Sequence, residues 1–212
     1  MSTPAVSVLM SVHNGERWVR DAVMSILGQT MRDLDLIVID DASTDATAHI
    51  LEAIDDSRLR VYPNPWNERR GLTRQLCLAL TFAEAPLIAR LDADDYAYPN
   101  RLDRQCAFLA TNPRVGLVGS LACEIDDSGL RPPPMEPLTD TEIRRVLIRR
   151  NPFIHSSVMM RRSVINQVGG YDPSVSVAQD YDLWMRMATV TEVAILDEPL
   201  VRRRLHAGQI SA

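Results

Sequence analysis

The chain has 212 residues, 46% of them hydrophobic, enough for the packed core of one α/β domain with or without a small appendage, which excludes disordered and fibrous classes. Its 23 basic and 28 acidic residues give a formal charge of -5, which argues against a wholesale electrostatic grip on nucleic acid and leaves only a local basic patch open. Every basic residue is arginine, and the absence of lysine excludes a Walker A phosphate loop, a pyridoxal Schiff base and a lysine nucleophile.

In chain order, Val6 to Val12 is a short apolar run, and Glu16 to Leu27 then spaces Trp18, Val19, Ala22, Val23, Ile26 and Leu27 as one face of a helix. Leu34 to Ile39 reads as a second strand, and Ser43 or Thr44 as the cap of a helix carrying Ala48, Ile50, Leu51 and Ile54. A third strand at Leu59 to Tyr62, a helix at Leu72 to Phe82, a fourth strand at Leu87 to Leu91, a helix from about Asn100 to Leu109 and a fifth strand at Val115 to Val118 follow. Apolar strands separated by helices predict a mostly parallel sheet covered on both faces, with ligands gathering at the carboxyl ends of its strands. The polar motifs fall at those ends: Ser11 to Asn14, Asp40 and Asp41, and Asp92 to Asp95.

Residues 126–137 contain Pro132, Pro133, Pro134 and Pro137 without periodicity and read as a stiff, irregular connection. It separates a half at 1–125 from a half at 138–212. The second half is expected to hold helices near Asp140 to Arg149, Arg162 to Val168 and Tyr181 to Ala188, a strand near Ser156 to Met160, and closing strands at Val193 to Leu196 and Leu200 to Arg204. Cys77, Cys106 and Cys123 lack C-x-x-C spacing and read as buried thiols of a reducing compartment. With no long uncharged apolar stretch and no signal-like N-terminus, the expected location is cytoplasmic, with peripheral attachment to a membrane left open.

The three carboxylates of Leu91-Asp-Ala-Asp-Asp repel one another unless a cation or a ring of donors neutralises them. A hard divalent ion with oxygen ligands is one answer, and a solvated acidic turn capping the next helix is the other.

Several segments, in order and at matching spacing, resemble the family 2 glycosyltransferases of the GT-A fold. They are Val6 to Trp18, Ile26-Leu-Gly-Gln-Thr, Val38-Ile-Asp-Asp-Ala-Ser-Thr-Asp, Asn67 through Gly71 to Arg74, Leu91 to Asp95, His155 to Arg162, Gly169-Gly-Tyr-Asp, Gln179 to Trp184 and Arg204 to Ser211. The resemblance implies a single GT-A domain, with a Rossmann-like nucleotide-sugar half and a smaller acceptor-binding half. Its implied activity is inverting transfer of a sugar from a nucleotide diphosphate donor, a UDP-sugar, to the hydroxyl of a glycan or lipid-linked acceptor in glycan or polysaccharide biosynthesis, with Mn2+ or Mg2+.

Carried over residue by residue, Asp94 matches the last acid of the D-x-D motif and becomes a metal ligand. Asp92 turns to the ribose or the hydration shell of the metal, and Asp95 is the weaker ligand candidate, as readable as a cap of the helix that follows. Asp41, with Asp40 beside it, falls where the family recognises the uracil imide. Ser11 and His13 flank the base, with His13 standing where a tyrosine is usual. Asn67 and Arg74 match positions near the nucleotide, Arg74 being also readable as part of a helix-surface ion pair. Asp180 matches the catalytic base, with Gln179 in place of the usual glutamate before it. His206 falls in the closing R-x-H region as a metal or phosphate ligand. His155, Trp184 and Gln179 are acceptor-side positions, with core packing the safer reading of Trp184. Asp182 reads as structural and His49 as a surface residue. An acceptor-binding tail would lie beyond this early ending.

The arginines of the second half read either as a membrane-docking bias or as a solvated, paired face. A sugar nucleotidyltransferase is disfavoured because residues 6–20 contain only Gly15, and a dinucleotide dehydrogenase because no G-x-G-x-x-G follows a strand. A non-catalytic nucleotide-sugar module remains the reading from another class, and the presence of a base candidate argues against it.

Overall fold

A computed structural model of the chain describes residues 3–133 and 139–206. Its first half alternates strictly: β1 (Val6–Val12), α1 (Val19–Leu27), β2 (Leu34–Asp40), α2 (Thr47–Glu52), β3 (Leu59–Pro63), α3 (Leu72–Phe82) and β4 (Leu87–Arg90). β2 is buried along all seven residues and β1 along all but Ser11, because helices cover both faces of the sheet and leave no position where a polar side chain meets water. Successive residues feed opposite layers: Val8, Met10, Leu36 and Val38 pack with α1, while Leu9, Ile37 and Ile39 pack with Leu76, Ile88 and Trp184.

β3, β2, β1 and β4 are parallel neighbours in that order. The strand order therefore reverses at β1, with β2 on one side and β4 on the other, and the crevice outside such a reversal is where open α/β sheets bind ligands.

The second half continues through β5 (Tyr96–Ala97), α4 (Arg101–Thr111), β6 (Val115–Asp126), β7 (Gly129–Arg131), α5 (Asp140–Leu147), a 3-10 turn (His155–Ser157), β8 (Met159–Arg161), α6 (Arg162–Val168), α7 (Gln179–Met187) and β9 (Glu192–Arg204). β8 lies antiparallel between β4 and β6, β9 runs parallel to β6, and β5 closes against β9. β6 of the first half thus pairs with strands of the second, so residues 1–125 and the described part of 138–212 share one sheet.

Several expected boundaries are corrected. The fifth strand does not stop at Val118 but runs to Asp126; small residues at Gly119, Ser120 and Ala122 mute its apolar signal. Gly119 is small for a reason, since a Cβ there would sit 2.8 Å from the Phe153 ring. The two closing strands are one, β9, whose register against β6 shifts on either side of the Leu121–Pro199 pair, a break at which a proline is tolerated in a sheet. The proline-rich connection is not irregular from its start: β7 folds back on β6. Pro134 and Pro137 lie outside the described residues, as do the residues after His206. α1 begins at Val19 rather than Glu16, and α2 begins at Thr47, so neither Ser43 nor Thr44 caps it. Both instead bind Asn14: the Asn14 N–H donates to Ser43 Oγ (2.9 Å), and Thr44 N–H donates to Asn14 Oδ1 (2.8 Å), tying the loop after β1 to the loop after β2.

The arginines of the second half are largely structural. Arg144 pairs with Asp140 and Arg203 with Glu124, Arg161 donates to the carbonyls of Val115 and Leu109, and Arg162 donates to that of Glu84. Among the described residues no helix is long and apolar enough to cross a membrane. The three cysteines are free and only half-buried rather than fully so.

Candidate functional site

The crevice at the strand reversal is a cavity of about 180 Å³. Ser11 and His13 from the end of β1, Asp41 from the end of β2, Asp92 and Asp94 after β4, and His206 just past β9 all line it. The adjacent ends of β2, β1 and β4 bring Ser11 to Asp94 together, and the end of β9, three strands away from β4 in the sheet, adds His206, 195 positions from Ser11.

The acid cluster is divided by what each carboxylate meets. Asp92 accepts from the Arg90 guanidinium and from Ser156 Oγ (2.7 Å). Burial works against its charge, yet Arg90, His155 and Ser156 prevail and hold it below the usual carboxylate range. Arg90 is itself 0% exposed, as is Arg101, whose guanidinium donates to the carbonyls of Arg90 and Val158. Burial and the neighbouring Arg90 push Arg101 down to about 9. Two buried guanidinium groups therefore lie beneath the acidic strand end.

Asp94 is the carboxylate left under stress. Burial and the nearby Asp92 raise it, and His206, with Nε2 2.9 Å from Oδ2, partly offsets them. Asp95 does not cap a helix, since α4 begins only at Arg101. Its Oδ1 accepts the Arg204 backbone N–H (2.8 Å), anchoring the end of β9, and burial with Asp92 and Asp94 pushes it up to about 8.

Asp41 carries more structural duty than its sequence position suggests. Its carboxylate accepts the backbone N–H groups of Arg70 (2.9 Å) and Gly71 (2.8 Å) and the side-chain amides of Asn64 (2.6 Å) and Gln75. Gly71 enters α3 at φ 85°, a conformation that suits glycine and turns its N–H toward that carboxylate. Asp41 thus fixes the loop before α3, and its own carbonyl lies 2.8 Å from His13 Nδ1, setting the imidazole beside it. Asp40 accepts the Ser43 N–H (3.0 Å).

Asn67 and Arg74 are not brought to the cavity. Thr73, Gln75, Leu76 and Ala79 form the buried face of α3, so helical periodicity turns Arg74 to solvent, and Asn67 is exposed on the loop. Arg69 and Leu72 line the cavity instead, together with Asn14 and Trp18. Trp18 reads in the sequence as one more apolar helix position. In the structure it precedes α1, its ring centroid 4.2 Å from that of His206 and the Arg204 guanidinium over its face.

Asp180 lies in the first turn of α7, its Oδ2 accepting from Asn151 Nδ2 at 2.7 Å. Beside it is a partly buried layer in which His155 Nε2 meets the Tyr171 hydroxyl at 2.9 Å. Trp184 is 0% exposed and packs against Phe153 and His155, so it has no face for an acceptor, and Gln179 is 8% exposed. Asp182 pairs with Arg186, as its structural reading expects, and His49 is exposed beside Glu52.

Burial and Arg90 push His155 down to about 4 against the opposing pull of Asp92 and Asp180. Between pH 6.5 and 4 the unfolded chain binds a proton on this ring that the folded chain does not, so this contribution to stability is lost as pH falls through that window. Asp94 and Asp95, raised in the folded state, act in the opposite sense over the same range. The effect is therefore expected in the difference between wild type and His155→Gln: unfolding free energies measured at pH 7 and pH 4.5 should converge by on the order of 2 kcal/mol in favour of the variant. A difference independent of pH would show that the ring titrates normally.

A parallel half-sheet that aims three strand-end motifs at one cavity, continued by an antiparallel extension carrying a separate carboxylate on α7, defines a protein of the GT-A fold. The chain belongs to Glycosyl transferase family 2, whose family profile matches residues 7–169. It is 34% identical over 190 residues to EpsE of Bacillus subtilis, covering 87% of this chain and 67% of that one. To the O-antigen biosynthesis glycosyltransferase WbnJ of Escherichia coli it is 30% identical over 187 residues, covering 86% and 71%. Among solved structures, S. aureus TarS 1-349 in complex with UDP-GlcNAc superposes with a TM-score of 0.81 at 19% identity, over 98% of this chain and 61% of that one. The mannosyltransferase PcManGT of Pyrobaculum calidifontis, in complex with GDP-Man and Mn2+, superposes with a TM-score of 0.72 at 21% identity, over 100% and 59%. The chain thus spans about three fifths of the length of these two structures, and the likeness to them concerns the fold.

Proposed function

We propose that the protein transfers a sugar from a nucleotide diphosphate sugar, a UDP-sugar, to an acceptor hydroxyl with inversion, in the synthesis of a polysaccharide or related glycan. The observation that carries this reading is the separation of two carboxylate stations: Asp94 with His206 in the cavity at the strand ends, and Asp180 held by Asn151 on α7. A binding module needs only the first of them. Membership of the family, the O-antigen biosynthesis role in the name of WbnJ, and the donors bound to TarS and PcManGT support the same reading.

In this mechanism the nucleotide lies across the ends of β1 and β2, against Ser11, His13 and Asp41, with Arg69 toward the phosphates. Asp92, its charge matched from below by Arg90, faces the nucleotide side. Asp94 and His206 fit a hard divalent cation: a stressed carboxylate beside an imidazole supplies two ligands, and no group of three His, Cys, Asp or Glu side chains among the described residues closes a shell around them. Mg2+ and Mn2+ sites of this kind keep positions for water and phosphate oxygens. When bound, the ion supplies neutralisation of the charge that develops on the departing nucleoside diphosphate. Asp180 accepts the proton of the attacking hydroxyl from the face of the sugar opposite the diphosphate, as inversion requires. The buried Arg90 and neutral His155 fix the layer between the two stations.

The test is release of nucleoside diphosphate from a panel of UDP- and GDP-sugars with and without Mn2+. Mn2+-stimulated UDP release from at least one UDP-sugar is expected. Binding of UDP without turnover of any donor, alone or with hydroxyl acceptors, would favour the non-catalytic module.

A further inference from the structure

The side chain that holds the proposed base is Asn151, and its own orientation is fixed. Its Oδ1 accepts the Phe153 backbone N–H at 2.9 Å, which leaves its Nδ2 as the group aimed at Asp180 Oδ2, 2.7 Å away. An amide with one end committed to a backbone donor cannot flip without breaking that bond. The aspartate is thereby held by one oxygen, while Oδ1 has no partner among the described residues and remains able to take a proton.

The backbone on the other side is also preset. α7 has no side-chain cap, and its cap residue, Ala178, sits at φ 57° and ψ 33°, a left-handed conformation unusual for alanine. Such strain persists only where the surroundings over-determine it. It places Asp180 in the first helical turn, facing the loop that carries Asn151.

We propose that Asn151 is a positioning residue for the transfer reaction: it clamps one carboxylate oxygen of Asp180 so that the other points at the acceptor hydroxyl. This rests on the assignment of Asp180 as base. A single fixed rotamer serves the reaction because catalysis by a base depends first on its geometry.

Asn151→Asp separates positioning from folding. The variant is nearly isosteric and keeps an oxygen for the Phe153 N–H but presents an acceptor, with like charge, to Asp180. The readout is Mn2+-dependent release of UDP, with water as acceptor, from the UDP-sugar that wild type turns over fastest in the donor panel, run alongside Asn151→Ala and Asp180→Asn. For Asn151→Asp the expected result is a loss of kcat of about 30-fold or more with donor KM within about twofold, and an acid limb of the pH–rate profile displaced upward by about one unit, as two neighbouring carboxylates impose. Asn151→Ala is expected to lose about tenfold in kcat, again without change in donor KM. Wild-type kcat and an unmoved acid limb in both Asn151 variants, with Asp180→Asn inactive, would overturn the positioning role while leaving the base in place. An active Asp180→Asn would overturn the base assignment itself and the clamp with it.

Discussion

Asp180→Asn is expected to reduce kcat by about three orders of magnitude while leaving donor affinity near that of wild type. The amide is isosteric and its oxygen can still accept from Asn151 Nδ2, so the first turn of α7 keeps its local contact. It cannot accept a proton at neutral pH, and a positioned general base contributes roughly 10²–10⁴-fold. Calorimetric titration with UDP, paired with single-turnover measurement, separates the two quantities. Retention of more than a tenth of the wild-type rate would remove Asp180 from the role.

Asp94→Ala is expected to abolish the stimulation by Mn2+ and to lower turnover by several hundredfold or more, corresponding to roughly 4 kcal/mol of charge stabilisation. Its second signature is in stability. Asp94 is half-buried beside Asp92, is raised by desolvation and by Asp92, and in turn raises Asp95. Removing it relieves repulsion, so the midpoint of thermal unfolding in metal-free buffer should stay level or rise, as is common where a site holds charges poised for a ligand. UDP binding that responds to Mn2+ as strongly as in wild type would place the ion elsewhere. Together the two variants distinguish the stations: one should lose chemistry with binding intact, the other both metal response and chemistry.

Much of the framework was legible because the physical signals are local. β1, β2 and β4 are apolar runs of strand length ending in polar motifs, and a parallel sheet covered on both faces leaves that pattern in the sequence. The strand-end rule then sends Ser11, His13, Asp41, Asp92 and Asp94 to one crevice, where they are found. β6 was cut short because small residues make room for partners distant in sequence, as Gly119 does for the Phe153 ring. Arg74 is turned away from the cavity because its motif gives sequence spacing but not the phase of α3, which the buried face of that helix sets. Trp184 shows the opposite case: the sequence leaves sugar stacking open beside the safer reading of core packing, and complete burial agrees with the core.

The sequence by itself determined the α/β alternation, the excluded chemistries, the family pattern and the set of acids that matter, since each depends on residue identity and near spacing. It did not determine how those acids differ. Asp92, Asp94 and Asp95 are nearly equivalent as letters, but Arg90 lies under the first, His206 meets the second and the Arg204 backbone N–H anchors the third. Only the tertiary structure brings a strand two residues back and a segment about 110 residues onward against them. The electrostatics of a carboxylate fall off over a few ångströms in space, whatever the distance along the chain.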